Sequence, residues 1–454
     1  MNPDDTRELL ANAARRSAHY LEGLEDRGVA PKAVFVDRLI AALDTPLADA
    51  PTAAGEILSF IDEYGSAATV ASAGGRYFGF VTGGALPATL AAQYLAAAWD
   101  QNSFSYLSSP AIAAFEDAVL RLVKQVMELP HEAAGAIVTG GTMANFTCLA
   151  AARNWVLNQV DWDVGRQGLF GAPPVTVILG EEAHASIYKV LSMLGLGRER
   201  VITVPVDKQG RIRADALPVI EGPTIVCIQA GNVNSGAFDP AAKIIEWAHD
   251  ANAWVHVDGA FGLWALASPD HASLARDFTA ADSWATDAHK WLNVPYDSAI
   301  AFTRNQQALK QAMSVSSSYL LPTEKRDAID YTPENSRRAR ALEIWTALNS
   351  LGRSGLADLV NRNCRQARDM ADSLREAGVE ILNDVVLNQV VVSFGDDERT
   401  RQVIATIQDA GVCWCGGTTW RGRAAMRISL SSWATTDDDI IRSLDSILDA
   451  HLQT

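Results

Sequence analysis

The chain has 454 residues, 48% of them hydrophobic and 20% charged, with a formal net charge of −16. That length implies two or three packed units rather than one core, and the composition excludes a largely disordered chain. The negative field disfavours nucleic acid as a partner, and no apolar run is long enough to span a bilayer.

Residues 1 to about 70 read as helices. In "DTRELLANAARRSAHYLEGL", apolar residues recur at three and four spacing behind Asp4 and Asp5 as a start signal. The start lacks a basic region followed by an apolar one, so no secretory leader is expected. "GGRYFGFVTGG" (74–84) is aromatic, glycine-bounded and not helical. From about 110 to 300, short apolar runs ("GAIVTG", "VTVILG", "TIVCIQ", "WVHVDGAFG", "SWATDAHKW", "SAIAFT") alternate with helix patterns at 142–157, 184–195 and 240–251. This alternation predicts an α/β fold, a mainly parallel sheet with helices on both faces. Residues 314–336 read as a long polar loop, of the kind that often serves as a lid. From about 337 a long helical stretch leads to a smaller unit with strands in "NQVVVSF", "VCWC" and "AAMRISL" and helices at 399–410 and 436–452. The divisions expected are an N-terminal helical segment (1–75), a large domain (76–345) and a small C-terminal domain (346–454). The five cysteines, Cys148, Cys227, Cys364, Cys413 and Cys415, are odd in number and scattered, as expected of reduced thiols in a cytoplasmic protein. "CWC" has the wrong spacing for a metal or redox pair and reads as strand alternation, so no metal site is expected.

In open α/β sheets, ligands bind beyond the carboxyl ends of the strands. After "GAIVTG", Gly140, Gly141 and Thr142 form a strand-to-helix turn that suits an anion, although it is neither a Walker A nor a GxGxxG motif. After "VTVILG", His184 stands near a helix start. After "WVHV" comes Asp258, a carboxylate that needs a cation or hydrogen bonds there. After "SWAT" comes "DAHK", and Lys290 at that strand end could be a nucleophile with its pKa lowered by burial. Taken singly, each has an ordinary alternative: a glycine turn, a helix cap, a structural carboxylate, a solvated lysine. Together they supply what pyridoxal phosphate needs: an anion cradle, a stacking ring, an acidic partner for the ring nitrogen, and a lysine for the aldehyde.

The motifs "RYFGFVTGG", "NSFSYLSSPAIAAFE", "TGGTMANF", "EEAHASIYK", "GAFDP", "HVDGAFG" and "DAHKW" resemble those of the group II pyridoxal-phosphate-dependent amino-acid decarboxylases, from about residue 70 to the end. The resemblance implies fold type I, with a seven-stranded sheet in the large domain, and L-amino-acid decarboxylation to amine and carbon dioxide. It implies roles for Lys290 as the cofactor anchor, Asp258 as the ring-nitrogen partner and His184 as the stacked ring. It also places Gly141, Thr142 and His289 at the phosphate, Ala260 under the ring, and Phe80 and Phe104 in the substrate pocket. Phe104 would reach in from a second subunit, which implies a homodimer with composite sites and a swapped N-terminal segment.

Three features depart from the family pattern. Gln229, Asn232 and Asn234 in "QAGNVNSGAFDP" change the polar groups near the ring. A loop tyrosine protonates the carbanion in the family; Tyr331 is the nearest match and Tyr319 a second candidate, and an ordinary loop role stands beside both. Arg427 either binds the substrate α-carboxylate or forms a structural ion pair, the latter preferred because pairing opposes departure of the carboxylate as neutral carbon dioxide. Asn102 could hydrogen-bond a polar side chain, and Arg76 reads as a surface charge. The pocket phenylalanines favour an aromatic substrate. Other reactions on this fold remain open: a lyase or aldolase, an aminotransferase, or an oxygen-consuming decarboxylation.

Overall fold

The computed structural model describes residues 3–314 and 324–454. The N-terminal region forms helices α1 (Pro3–Glu22), α2 (Ala33–Leu43) and α3 (Ala54–Phe60), and α4 (Pro87–Trp99) and α5 (Pro110–Val126) follow. Proline opens both α4 and α5, where its missing N–H costs nothing and its fixed φ suits the first turn.

The large sheet contains β1 (Ala134–Val138), β2 (Thr176–Gly180), β3 (Ile202–Val204), β4 (Thr224–Gln229), β5 (Trp254–Asp258), β6 (Ser283–Asp287) and β7 (Ala299–Thr303). Their order is β1-β7-β6-β5-β4-β2-β3. Strands β3, β2, β4, β5 and β6 run parallel, and β7 lies antiparallel to both β6 and β1. Helices α6 (Gly141–Asn158), α7 (Val164–Gln167), α8 (Ala185–Met193) and α9 (Ala241–Asp250) lie between the strands, and α10 (Gln306–Met313) follows β7. Strands β4 to β7 are buried along their whole length, which is why they read as unbroken apolar runs rather than alternating ones. Two cores, one on each face, clamp the sheet. The short, half-exposed β3 carries too weak a pattern to be seen beforehand.

Helix α11 (Arg340–Glu376) leads to the small sheet of β8 (Glu380–Ile381), β9 (Gln389–Ser393), β10 (Gly416–Trp420) and β11 (Arg423–Ser429), ordered β10-β11-β9-β8 and covered by α12 (Asp397–Ala410) and α13 (Asp437–Gln453). Three expectations change here. The boundary at 345/346 falls inside α11, whose break is at Gly352 (φ 61°). The segment opening the expected large domain belongs to the small one: Phe78 lies in its core, and its N–H donates to the Trp414 carbonyl at 2.9 Å. "VCWC" is an isolated bridge between Trp414 and Tyr77 rather than a strand, though Cys413 and Cys415 are buried as alternation requires.

Candidate active site

The carboxyl ends of β1, β2, β4, β5 and β6 surround a cavity of about 420 Å³. Gly140, Gly141, Thr142, His184, Gln229, Asp258, Ala260, His289 and Lys290 line it together, with Asn145, Asp287 and Asp297. Parallel strands deliver all their ends to one edge, so residues up to 150 positions apart meet there (290 − 140).

Asp258 closes β5 and is buried; its Oδ2 accepts from Asn145 Nδ2 at 3.3 Å. Asn145 Oδ1 in turn meets His256 Nε2 at 2.9 Å, and His256 Nδ1 meets Ser283 Oγ at 2.9 Å. Burial pushes the pKa of His256 down to about 3, so it is a neutral ring that braces Asn145. His184 caps α8, its Nδ1 accepting the Ser186 N–H at 3.2 Å, which leaves the proton of the neutral ring on Nε2. Its pKa is lowered, first by burial and then by the Lys290 and Arg427 charges, against the pull of Asp258. His289 Nδ1 accepts the Ser298 N–H at 3.1 Å, so its Nε2–H faces Asp287 Oδ1 at 3.5 Å, and burial keeps this ring neutral too.

Lys290 differs from expectation. Burial does push its ammonium down, but Asp287, whose Oδ2 lies 2.9 Å from Nζ, and Asp258 behind it more than reverse this, so its pKa is raised. Position 83 must be glycine for Lys290 to sit there: a Cβ on Gly83 would lie 1.8 Å from the Lys290 carbonyl oxygen. The segment before it is strained, with Phe80 and Val81 at φ 53° and 60°, a conformation that costs each of order 1–3 kcal/mol.

Other expected residues do not meet in this cavity. Tyr331 is buried in the core under the sheet, its hydroxyl accepting from Gln306 Nε2 at 2.7 Å and its ring beneath the Arg326 guanidinium. It is a packed residue, not a free acid on a loop. Tyr319 lies outside the described residues. Phe104 is half-buried, its carbonyl bound to the Ile329 N–H, and Asn102 is committed to Ser336 Oγ and the Arg337 N–H beside a different cavity. Phe80 is 64% exposed and packs on Trp414. Arg427 has no carboxylate partner among the described residues, so the preferred ion pair is absent; its Nη1 donates to the Val233 carbonyl at 3.1 Å. Arg76 is not a surface charge but is buried, bound to the carbonyls of Val412 and Glu25.

Four contributors were missed beforehand: Asp287, Asn145, His256 and Tyr296. The Tyr296 ring packs against His289, tilted by 33° with centroids 4.4 Å apart, and its hydroxyl lies 3.3 Å from Thr82 Oγ1. Asp287 was visible as the last residue of the "SWATD" run, by the same strand-end rule that picked out Asp258.

A buried amine, a braced carboxylate, a neutral imidazole and a glycine helix start, gathered at one edge of a mainly parallel sheet, define a fold-type-I enzyme of the pyridoxal phosphate class. The residues fit that group on the structure's own terms: the N–H groups at the start of α6 have no side-chain cap and open on the cavity, and Asp258, held by Asn145, is a buried carboxylate in the same lining. The profile of the family described as "Pyridoxal-dependent decarboxylase conserved domain" matches residues 70–394, and the chain belongs to that family. Its cofactor is therefore pyridoxal 5′-phosphate. An L-2,4-diaminobutyrate decarboxylase of Rhizobium meliloti (strain 1021) is 30% identical over 385 residues, 80% of this chain and 75% of that protein. Acidic amino acid decarboxylase GADL1 of Mus musculus is 30% identical over 315 residues, 66% of this chain and 56% of that longer protein. The crystal structure of Oryza sativa TDC with PLP and tryptamine shares the fold, with a TM-score of 0.90 at 21% identity over 100% of this chain and 99% of that one.

Proposed function

We propose that the protein removes the α-carboxylate of an L-amino acid as carbon dioxide and releases the amine, with Lys290 as the cofactor anchor. The observation that carries this reading is the convergence of Lys290, Asp258, His184 and the glycine start of α6 on one cavity. Gly141, Thr142 and His289 would hold the phosphate, Asp258 would pair with the ring nitrogen, and His184 and Ala260 would hold the ring. Bound there, pyridoxal phosphate supplies an electron sink for the pair left on the α-carbon. The protein's own groups do the rest. Asp258, held by Asn145, keeps a negative charge where positive charge must stay on the ring nitrogen. Arg427, a half-buried cation without a carboxylate, receives the substrate carboxylate before it leaves. Gln229, fixed by its bond to the Glu182 carbonyl at 3.0 Å, offers its remaining polar atoms to the cavity.

For the substrate side chain, the Tyr77–Trp414 stack at 5.1 Å with Phe80 against it supports an aromatic group. The relatives named for diaminobutyrate and acidic amino acids make those the competing substrates. A homodimer is supported by exposed apolar side chains, among them Val34, Ile40 and Leu43 on α2 and Leu95 on α4, each more than half exposed among the described residues. Five free, buried cysteines fit a cytoplasmic location. The test is a product assay with the cofactor-loaded protein and a panel of L-amino acids, in air and without oxygen. Amine matched by carbon dioxide, independent of oxygen, supports the reading. Carbon dioxide absent throughout, or an aldehyde that needs oxygen, overturns it. Light scattering tests the dimer.

A further inference from the structure

Asp287 has no role in the reading above, yet its carboxylate is in direct contact with the Lys290 ammonium. It ends β6 with its side chain 2% exposed, and Oδ2 lies 2.9 Å from Lys290 Nζ. Its other oxygen, Oδ1, makes no hydrogen bond among the described residues, with His289 Nε2 3.5 Å away. A buried carboxylate oxygen left without a donor is costly, and folds retain such groups where they have a task. The carboxylate also lies against the start of α6: a Cβ on Gly141 would sit 2.8 Å from Oδ2. Asp287 thus stands between the lysine and the place proposed for the cofactor phosphate, and a phosphate and a carboxylate repel.

We propose that Asp287 is the positioning residue of Lys290: it parks the ammonium in the cofactor-free site and accepts its proton when the cofactor is captured. The inference rests on Lys290 being the anchor. An ammonium has no lone pair and cannot attack an aldehyde. Passing one proton from Nζ to Oδ2 leaves a neutral amine and a neutral carboxyl. The amine then attacks the aldehyde carbon, and the C=N bond forms as water leaves. The neutral carboxyl no longer repels phosphate at the start of α6. One proton transfer over an existing hydrogen bond therefore arms the nucleophile and clears the anion site together.

Among the described residues, the charged and titratable groups around the pair come from three elements, with Arg427 of β11 beyond His184. Asp258 comes from β5, His184 from the start of α8, and His289, Tyr296 and Asp297 from the β6–β7 connection. The first turn of α6, Gly141–Asn145, brings no charge. With burial opposing the ammonium, Asp287 is its principal support.

The test uses the full-length enzyme stripped of cofactor and an amine-directed acylating reagent, with labelling at Lys290 followed by mass spectrometry across pH. In the wild type, the labelling midpoint is expected above the free lysine value of about 10.4. In Asp287→Asn the midpoint falls by about one unit or more, so Lys290 is labelled about tenfold faster at the same lower pH, and Asp287→Glu restores the wild-type profile. Superimposable profiles for wild type and Asp287→Asn overturn the proposal. If the variant does not fold, the wild type alone decides: a midpoint at or below the ordinary lysine value overturns it. Borohydride trapping of pyridoxal phosphate on wild-type Lys290 is the separate check on the anchor; no trapped adduct there refutes the anchor, whatever the labelling shows.

Discussion

Arg427 gives the sharpest test of how the substrate is held. It projects from β11, half-buried, with one hydrogen bond to the Val233 carbonyl and no carboxylate among the described residues. Burial pushes its pKa down, as expected for a cation that lacks a counter-charge. An isolated buried charge is expensive, so its replacement does not cost stability through a lost ion pair. A charge-assisted hydrogen bond to a carboxylate is worth about 1.5–3 kcal/mol, and each 1.4 kcal/mol is about tenfold. Arg427→Gln is therefore expected to raise KM by about tenfold to somewhat over a hundredfold. The effect falls on KM, because the bond is made to the ground-state carboxylate, and kcat should hold or rise, because that bond opposes loss of the charge. The assay is steady-state release of amine and carbon dioxide, with a thermal melt beside it. An unchanged KM with a clearly lowered melting temperature would refute the reasoning and return Arg427 to a structural role.

Glu116 on α5 is buried between Arg337, which it bonds directly, and Arg326 at 3.4 Å; Glu116→Ala strands these cations and is expected to cost about 3–5 kcal/mol in denaturant unfolding. Gly83→Ala forces a methyl group into the Lys290 carbonyl, so it is expected to exceed the ~1–3 kcal/mol of ordinary overpacking and to release the cofactor, read by its absorbance after gel filtration. The pKa of His249 is raised, chiefly by its hydrogen bond to Asp282 at 3.0 Å. A raised folded-state pKa means the pair's stabilisation is present in full below the ordinary value of 6.5 and is lost as the pH rises through the folded value. The pair is partly exposed, so the melting difference between wild type and His249→Gln should reflect no more than about 1 kcal/mol and should vanish at alkaline pH.

The part of the site legible in the sequence is the part that strand ends deliver. Asp258 and Lys290 follow runs that are buried from end to end, and a parallel sheet brings such ends to one edge whatever lies between them. The same rule places Gly141, Thr142 and His184, because each opens the helix after its strand. What the rule cannot reach is the set of residues that arrive by other routes. Asn145 lies one turn inside α6, and its tie to His256 depends on how that helix packs on β5. Tyr296 comes from an irregular connection whose path no periodicity predicts. Phe80 and Val81 occupy a left-handed backbone that no local propensity favours, so tertiary contacts alone hold them there.

The misplaced residues fail for a related reason. Tyr331 and Asn102 sit in polar stretches that resemble solvated loops, yet each has a fixed partner, Gln306 for the tyrosine and Ser336 with Arg337 for the asparagine. A polar residue in such a stretch is free to act only if the packing leaves it free, and composition does not record that. Lys290 makes the same point in reverse. Burial alone predicts a lowered pKa, and the residue three positions earlier changes the sign. On the proposal above, a lysine held as the ammonium reacts slowly with stray carbonyl compounds, whereas capture of an aldehyde that also carries a phosphate is coupled to the proton transfer that neutralises Asp287. Selectivity for a phosphorylated aldehyde would then lie in the pairing of Asp287 with Lys290 as much as in the glycine turn that receives the phosphate.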